Sequence, residues 1–203
     1  MRDIWIVAEN PAWAAVLAAG AQSISKDAKI VAFVNGDEAA AKEAGSYGAA
    51  EAFAMPQPAD GLWEGYAASL AEKAKADKPA LILVSASKRG RDLGAQVAAI
   101  LDAPLFTDGK NVKVEGDKTT AQTMIYGGTG IKTASVTAPT VLVTMGAKDY
   151  DPAAAAPAPA PLATPPPPAA PAKVTGHPPR APAPLHLSHP ADVASADPAF
   201  PDA

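Results

Sequence analysis

The sequence predicts an α/β fold of three layers. A mostly parallel sheet lies between helices, later strands are partly antiparallel, and a disordered tail rich in proline and alanine follows. Three observations predict this. Four short runs, at 4–8, 29–34, 50–55 and 80–84, are apolar at nearly every position. Strands apolar on both sides must be covered on both faces, as in a parallel sheet. Helical patterns separate these runs, so the order reads β-α-β-α-β-α-β-α. Composition then changes at Asp151: 16 of the 22 prolines and all three histidines lie beyond it.

The first strand, Ile4-Trp5-Ile6-Val7-Ala8, gives way to Asn10-Pro11. Asn10 is a helix N-cap, and Pro11 suits the first helical position, where an N–H has no partner to lose. That helix carries Trp13, Val16, Leu17 and Ile24 at near-helical spacing. The second strand, 29–34, ends at Asn35-Gly36, and a short helix over 37–44 stops at Gly45. The third strand covers 50–55. Asp60 is expected to cap a longer helix with Leu62, Trp63, Tyr66, Leu70 and Ala74 on one face. Pro79 restarts the chain into the most apolar strand, 80–84, and a helix is predicted over 91–101. Beyond Pro104, residues 111–115 alternate as a half-exposed strand does. Residues 120–126 follow the turn at Gly116-Asp117, and 140–145 form a last strand; these late strands are expected to extend the sheet. The whole is a Rossmann-like arrangement over 1–151, with 152–203 as the tail.

Composition excludes several function classes. A net charge of −4 and a pI near 5.3 speak against nucleic-acid binding, which asks for a basic face. The absence of cysteine removes disulfides, thiolate metal sites and cysteine nucleophiles, and fits a cytoplasmic location. Glu9 and Asn10 end the first apolar run before a signal-peptide core could form, and no run is long enough for a membrane span. Beyond Asp151 there are five charged residues and few branched apolar ones, a composition that cannot bury a core.

The chemistry-bearing motif is Ser85-Ala86-Ser87-Lys88-Arg89-Gly90-Arg91, where a buried strand turns into a helix. In open α/β sheets ligands lie beyond the carboxyl ends of strands. Ser87, Arg89, Gly90 and Arg91 are therefore the candidate binding residues. They could hold an anion at the helix start, or meet a protein carboxylate, which the planar guanidinium fits. A plain solvated turn is the third reading. Gly127-Gly128-Thr129-Gly130-Ile131-Lys132-Thr133 looks like a phosphate loop, but Ile131 breaks the required Gly-Lys-Ser/Thr junction. Those glycines read as a tight turn. No histidine lies before Asp151, so no Ser-His-Asp set exists there, and the tail histidines are too loosely spaced for zinc. Glu9 alone is not a mechanism. The first strand is not followed by the Ser-Gly-Gly loop of an ATP pyrophosphatase.

Three segments carry a resemblance. They are the opening "IWIVAEN", the strand-turn-helix "ILVSASKRGRDLGAQVAAILDAP", and the ending "TMIYGGTGIKTASVTAPTVLVTMGAKDYDPA". In this order they resemble the N-terminal domain of the electron transfer flavoprotein alpha subunit, over about residues 1–152. Gly90-Arg91-Asp92-Leu93 matches the family's Gly-Arg-Asp/Glu-Leu. Tyr126-Gly127-Gly128 answers its Tyr-Ala-Gly, and Val141-Leu142-Val143-Thr144 its following strand. Met145 stands where many members have Arg. Members continue into a C-terminal domain that binds FAD, and here the proline-rich tail takes its place.

The resemblance implies the docking half of a flavin-based electron carrier, an electron-transfer subunit rather than a catalyst. Its partner is a beta subunit, and dehydrogenases are met through the complex. FAD is implied as the cofactor of the complex, and this chain alone is expected not to retain it. The tail is expected to reflect truncation or a shifted reading frame. The residue-level alternative is a small module of the same fold that binds AMP or ATP through Ser87, Gly90 and the helix start.

Overall fold

A computed structural model of the chain describes residues 3–57, 62–155 and 161–163, all within one compact unit. Four strands form where the sequence is continuously apolar: β1 (Ile4–Ala8), β2 (Ile30–Asn35), β3 (Glu51–Met55) and β4 (Leu81–Ser85). Between and after them run α1 (Pro11–Ile24), α2 (Glu38–Gly45), a 3-10 turn (Trp63–Tyr66) leading into α3 (Ala67–Asp77), and α4 (Lys88–Leu101). Then come β5 (Leu105–Phe106), β6 (Lys110–Glu115), β7 (Lys118–Ile125), β8 (Gly130–Thr137), β9 (Val141–Met145) and β10 (Leu162–Ala163).

The helix starts are built as the sequence predicts for α1. Asn10 Oδ1 accepts from the Trp13 N–H at 3.0 Å, with Pro11 in the first turn. Asp37 does the same for α2 through the Ala40 N–H. Such caps are worth about 1 kcal/mol each. The cap expected at Asp60 lies outside the described residues.

The main sheet has the order β10-β3-β2-β1-β4-β9-β5, and every pairing in it is parallel. Successive residues of β1 point to opposite faces. Ile4, Ile6 and Ala8 join a core with Leu17 of α1, Ala41 of α2, and Val112 and Ala121 of the later strands. Trp5 and Val7 join a second core with Phe33, Phe53, Trp63, Leu70, Leu93 and Val97, under α3 and α4. Phe33 stacks on Phe53 at 4.8 Å between centroids. Each strand is thus covered on both sides, which is why alternation is missing from its sequence.

The late strands depart from expectation in part. The last predicted strand, β9, extends the main sheet as expected, together with the two-residue β5 and β10, but β6, β7 and β8 do not: they form a separate antiparallel sheet. The cause is one-sided burial. Thr119 and Ala121 of β7 are buried and Thr120 and Gln122 are not, so this sheet has one face to cover and lies over the first core. Past Asp151, the Ala153 N–H donates to Ala15 O at 3.1 Å, and Leu162–Ala163 pair with β3. Both contacts carry the folded domain past the boundary that composition predicts. The expectation of disorder for 164–203 lies outside the described residues.

Candidate functional site

The order of the parallel sheet reverses between β1 and β4, and β4 delivers the basic turn at its carboxyl end. Ser85 is wholly buried, and the Ala86 N–H donates to Met145 O of the neighbouring strand at 2.9 Å. Ser87 then takes extended backbone and caps α4, its Oγ accepting from the Gly90 N–H at 3.0 Å. The helix therefore begins at Lys88, three residues before the predicted start. Gly90 sits inside the first turn with normal helical backbone, and its role is spatial. A β-carbon there would lie 2.0 Å from Ser85 O and 2.6 Å from Ser85 Oγ.

The cations of the turn diverge. Arg91 reaches Asp108, in the loop after β5, with Nη2 at 2.8 Å and Nε at 3.3 Å from the same Oδ1. Arg89 turns the other way. Its Nη1 donates to Gln57 Oε1 at 3.3 Å, and its Nε lies 3.8 Å from Glu64 Oε1 on the 3-10 turn. Glu64 is buried, and its Oε2 has no hydrogen-bond partner among the described residues. Lys88 is exposed. Nearby, the Tyr66 hydroxyl donates to Pro56 O at 2.8 Å, and burial pushes its phenol above the ordinary tyrosine value.

This arrangement does not fit a nucleotide pyrophosphate. The Gly90 N–H is taken by Ser87, both guanidiniums face carboxylates, and the space beside Gly90 is filled by Ser85. Ser87, Arg89, Gly90 and Arg91 are brought together in sequence and backbone, but the side chains of Ser87, Arg89 and Arg91 are turned to separate partners. Gln57, Glu64 and Asp108 were missed. They come from three other segments, and no local pattern marks them.

The glycine motif forms no phosphate loop either. It is the tip of the β7–β8 hairpin, a 3-10 turn at Tyr126–Gly128 with Gly127 at φ 63° and Gly128 at φ 98°. Met145, the last residue of β9, is fully buried in the first core. Among the described residues no cluster could hold a metal ion, and no helix is long and apolar enough to cross a membrane.

Comparison with known proteins decides the family. The electron transfer flavoprotein domain matches residues 8–172. The chain belongs to the electron transfer flavoprotein domain family. Among its relatives, Protein FixB of Salmonella typhimurium is 27% identical over 151 residues, covering 73% of this chain and 47% of that one. The putative electron transfer flavoprotein subunit YdiR of Escherichia coli K12 is 30% identical over 148 residues, covering 71% and 46%. Protein FixB of Escherichia coli O157:H7 is 28% identical over 153 residues, covering 74% and 48%. This electron transfer flavoprotein domain thus spans about half the length of the curated relatives it matches. The resemblance carried by the three quoted segments is borne out.

Proposed function

We propose that the chain is an alpha-type electron transfer flavoprotein subunit, the docking half of a two-subunit flavin-based electron carrier. The family match over residues 8–172 carries this reading. The site supports it, because a network of arginines held against carboxylates offers surface and rigidity rather than acid–base chemistry. In this reading the subunit is not itself a catalyst. It works in the cytoplasm, and the complex accepts electrons from dehydrogenases. Residues 1–151, with Ala153 and Leu162–Ala163 packed onto them, supply the docking surfaces.

Ser87, Gly90, Arg89 and Arg91 then shape the junction with a beta-type subunit. FAD belongs to the complex, where it supplies the redox chemistry. This chain's own contribution is to present a rigid wall. A nucleotide module reading draws no support from side chains already bound to Asp108, Glu64 and Gln57. The test is size-exclusion chromatography of the purified chain with a beta-type subunit of the same organism, read at protein and flavin wavelengths. Co-elution is expected, with the chain colourless by itself. Separate elution would overturn the subunit reading, and stoichiometric FAD on the isolated chain would overturn the assignment of flavin to the complex.

A further inference from the structure

The parallel sheet is closed differently at its two ends. At one end β5 is two residues long, and so short a strand offers little for another to pair with. At the other end β3 runs over five residues, with Ala52, Phe53, Ala54 and Met55 buried. Native edges are blunted by brevity, charge, proline or bulges. β3 contains no proline, and its pairing with β2 runs without a register shift. Its one charge, Glu51, is tied to Lys29 at 2.6 Å. Left bare, β3 would be an open template for another strand.

What covers it is β10. Leu162 and Ala163 stand opposite Ala52 and Phe53, and the Ala52 N–H donates to Pro161 O. That bond is 3.3 Å, long for its kind, and the strand is two residues, so the pairing is weak enough to open. The approach is held upstream by the Ala153 N–H on Ala15 O, and β10 also touches α2. The sequence Pro161-Leu162-Ala163-Thr164-Pro165 suits an outermost strand. Proline has no N–H to give a ladder and is confined to sheet edges and strand starts. β10 therefore pairs inward and offers little outward.

The bare edge would suit a second copy of itself. A two-fold contact sets a strand antiparallel to its own counterpart. Centred on Phe53, it places Glu51 opposite Met55, so no like charges meet directly.

We infer that residues 161–163 are an edge guard: they cover the strand-addition edge of β3 within the same chain, and their release lets a second copy pair there, β3 against β3.

The experiment compares the full-length chain with two variants. Ala163→Pro removes an N–H from the guard strand, and Leu162→Gly weakens that strand while keeping its N–H groups. Hydrogen exchange read by NMR follows the Ala52 amide, which reports directly on Pro161. It is expected to be protected in the unaltered chain and to exchange about 10-fold faster in dilute Ala163→Pro. Light scattering follows mass. On concentration, Ala163→Pro is expected to climb toward twice the mass of one chain relative to the unaltered protein, with the Ala52 amide regaining protection as it does. Leu162→Gly should show both changes at smaller amplitude. An unprotected Ala52 amide in the unaltered chain overturns the guard. Unchanged exchange and mass in both variants overturn it as well, and so does fast exchange with no gain in mass. A gain in mass that leaves Ala52 exchanging freely overturns the pairing of β3 with β3.

Discussion

Gly90 lies against the carbonyl of Ser85 so closely that a β-carbon would come within 2.0 Å of that oxygen. The obstacle is backbone at the end of a central strand and cannot swing aside. Gly90→Ala is therefore expected to destabilise the domain at or beyond the top of the roughly 1–3 kcal/mol usual for overpacking. Gly94, one turn on, has its nearest neighbours at 3.6 Å and 3.7 Å, which is ordinary contact. Gly94→Ala should stabilise by about 0.5–1 kcal/mol, the helix preference of alanine over glycine. Urea midpoints at constant slope measure both. Equal midpoints for the two variants would remove close helix–strand approach as the reason for Gly90.

Arg89 and Arg91 should separate in stability measurements. The Arg91–Asp108 pair is about half exposed on both sides, so losing it should cost no more than about 1 kcal/mol. Removing Arg89 leaves the buried Glu64 carboxylate without its nearest cation. Arg89→Ala should cost more, about 1–3 kcal/mol, and Arg89→Ala with Glu64→Gln should recover much of it. A double variant no more stable than Arg89→Ala alone would show that Glu64 is not charged against Arg89.

Ser87→Ala removes the α4 cap and should cost about 1 kcal/mol, whereas Ser87→Asp, which keeps an acceptor, should cost little. Chemical denaturation of the pair reads the difference. Parity between them would show that Ser87 matters for something other than the Gly90 N–H.

Alkaline stability should depend on Tyr66. Its folded-state pKa is raised by burial, so folding favours the neutral phenol. Its contribution is fully present below the unfolded pKa, about 10, and is lost as pH rises from there through the higher folded value. Tyr66→Phe cannot ionise, so its stability should decline less over that window than that of the unaltered chain. Parallel declines in the two proteins would assign the alkaline loss to other groups.

The parallel core was legible because burial on both faces leaves a continuous apolar run, as in Leu81–Ser85. The start of α1 was legible because Asn10-Pro11 is local capping chemistry. The start of α4 was not, because Lys88-Arg89-Gly90 carries no apolar period and the glycine reads as a break. Its purpose is a contact with Ser85 that only the folded chain reveals. The later strands were recognised by alternation, but alternation does not say which sheet a strand joins. Leu105–Phe106 is too short to leave a pattern. At the site, the sequence pointed to the basic turn and not to Asp108 or Glu64, whose meaning depends on long-range placement.

The β7–β8 hairpin has an inner face of Thr119 and Ala121 held in the core and an outer face on which Thr120 and Gln122 are half-buried and bonded to Ser135 and Asn111, and Met124 is exposed. Two packing regimes therefore alternate along a single strand, residue by residue. Changes at 119 and 121 alter the core, whereas changes at 120, 122 and 124 alter only half-buried or exposed surface. A saturation mutagenesis map scored for abundance should display that alternation as a two-residue rhythm along the strand.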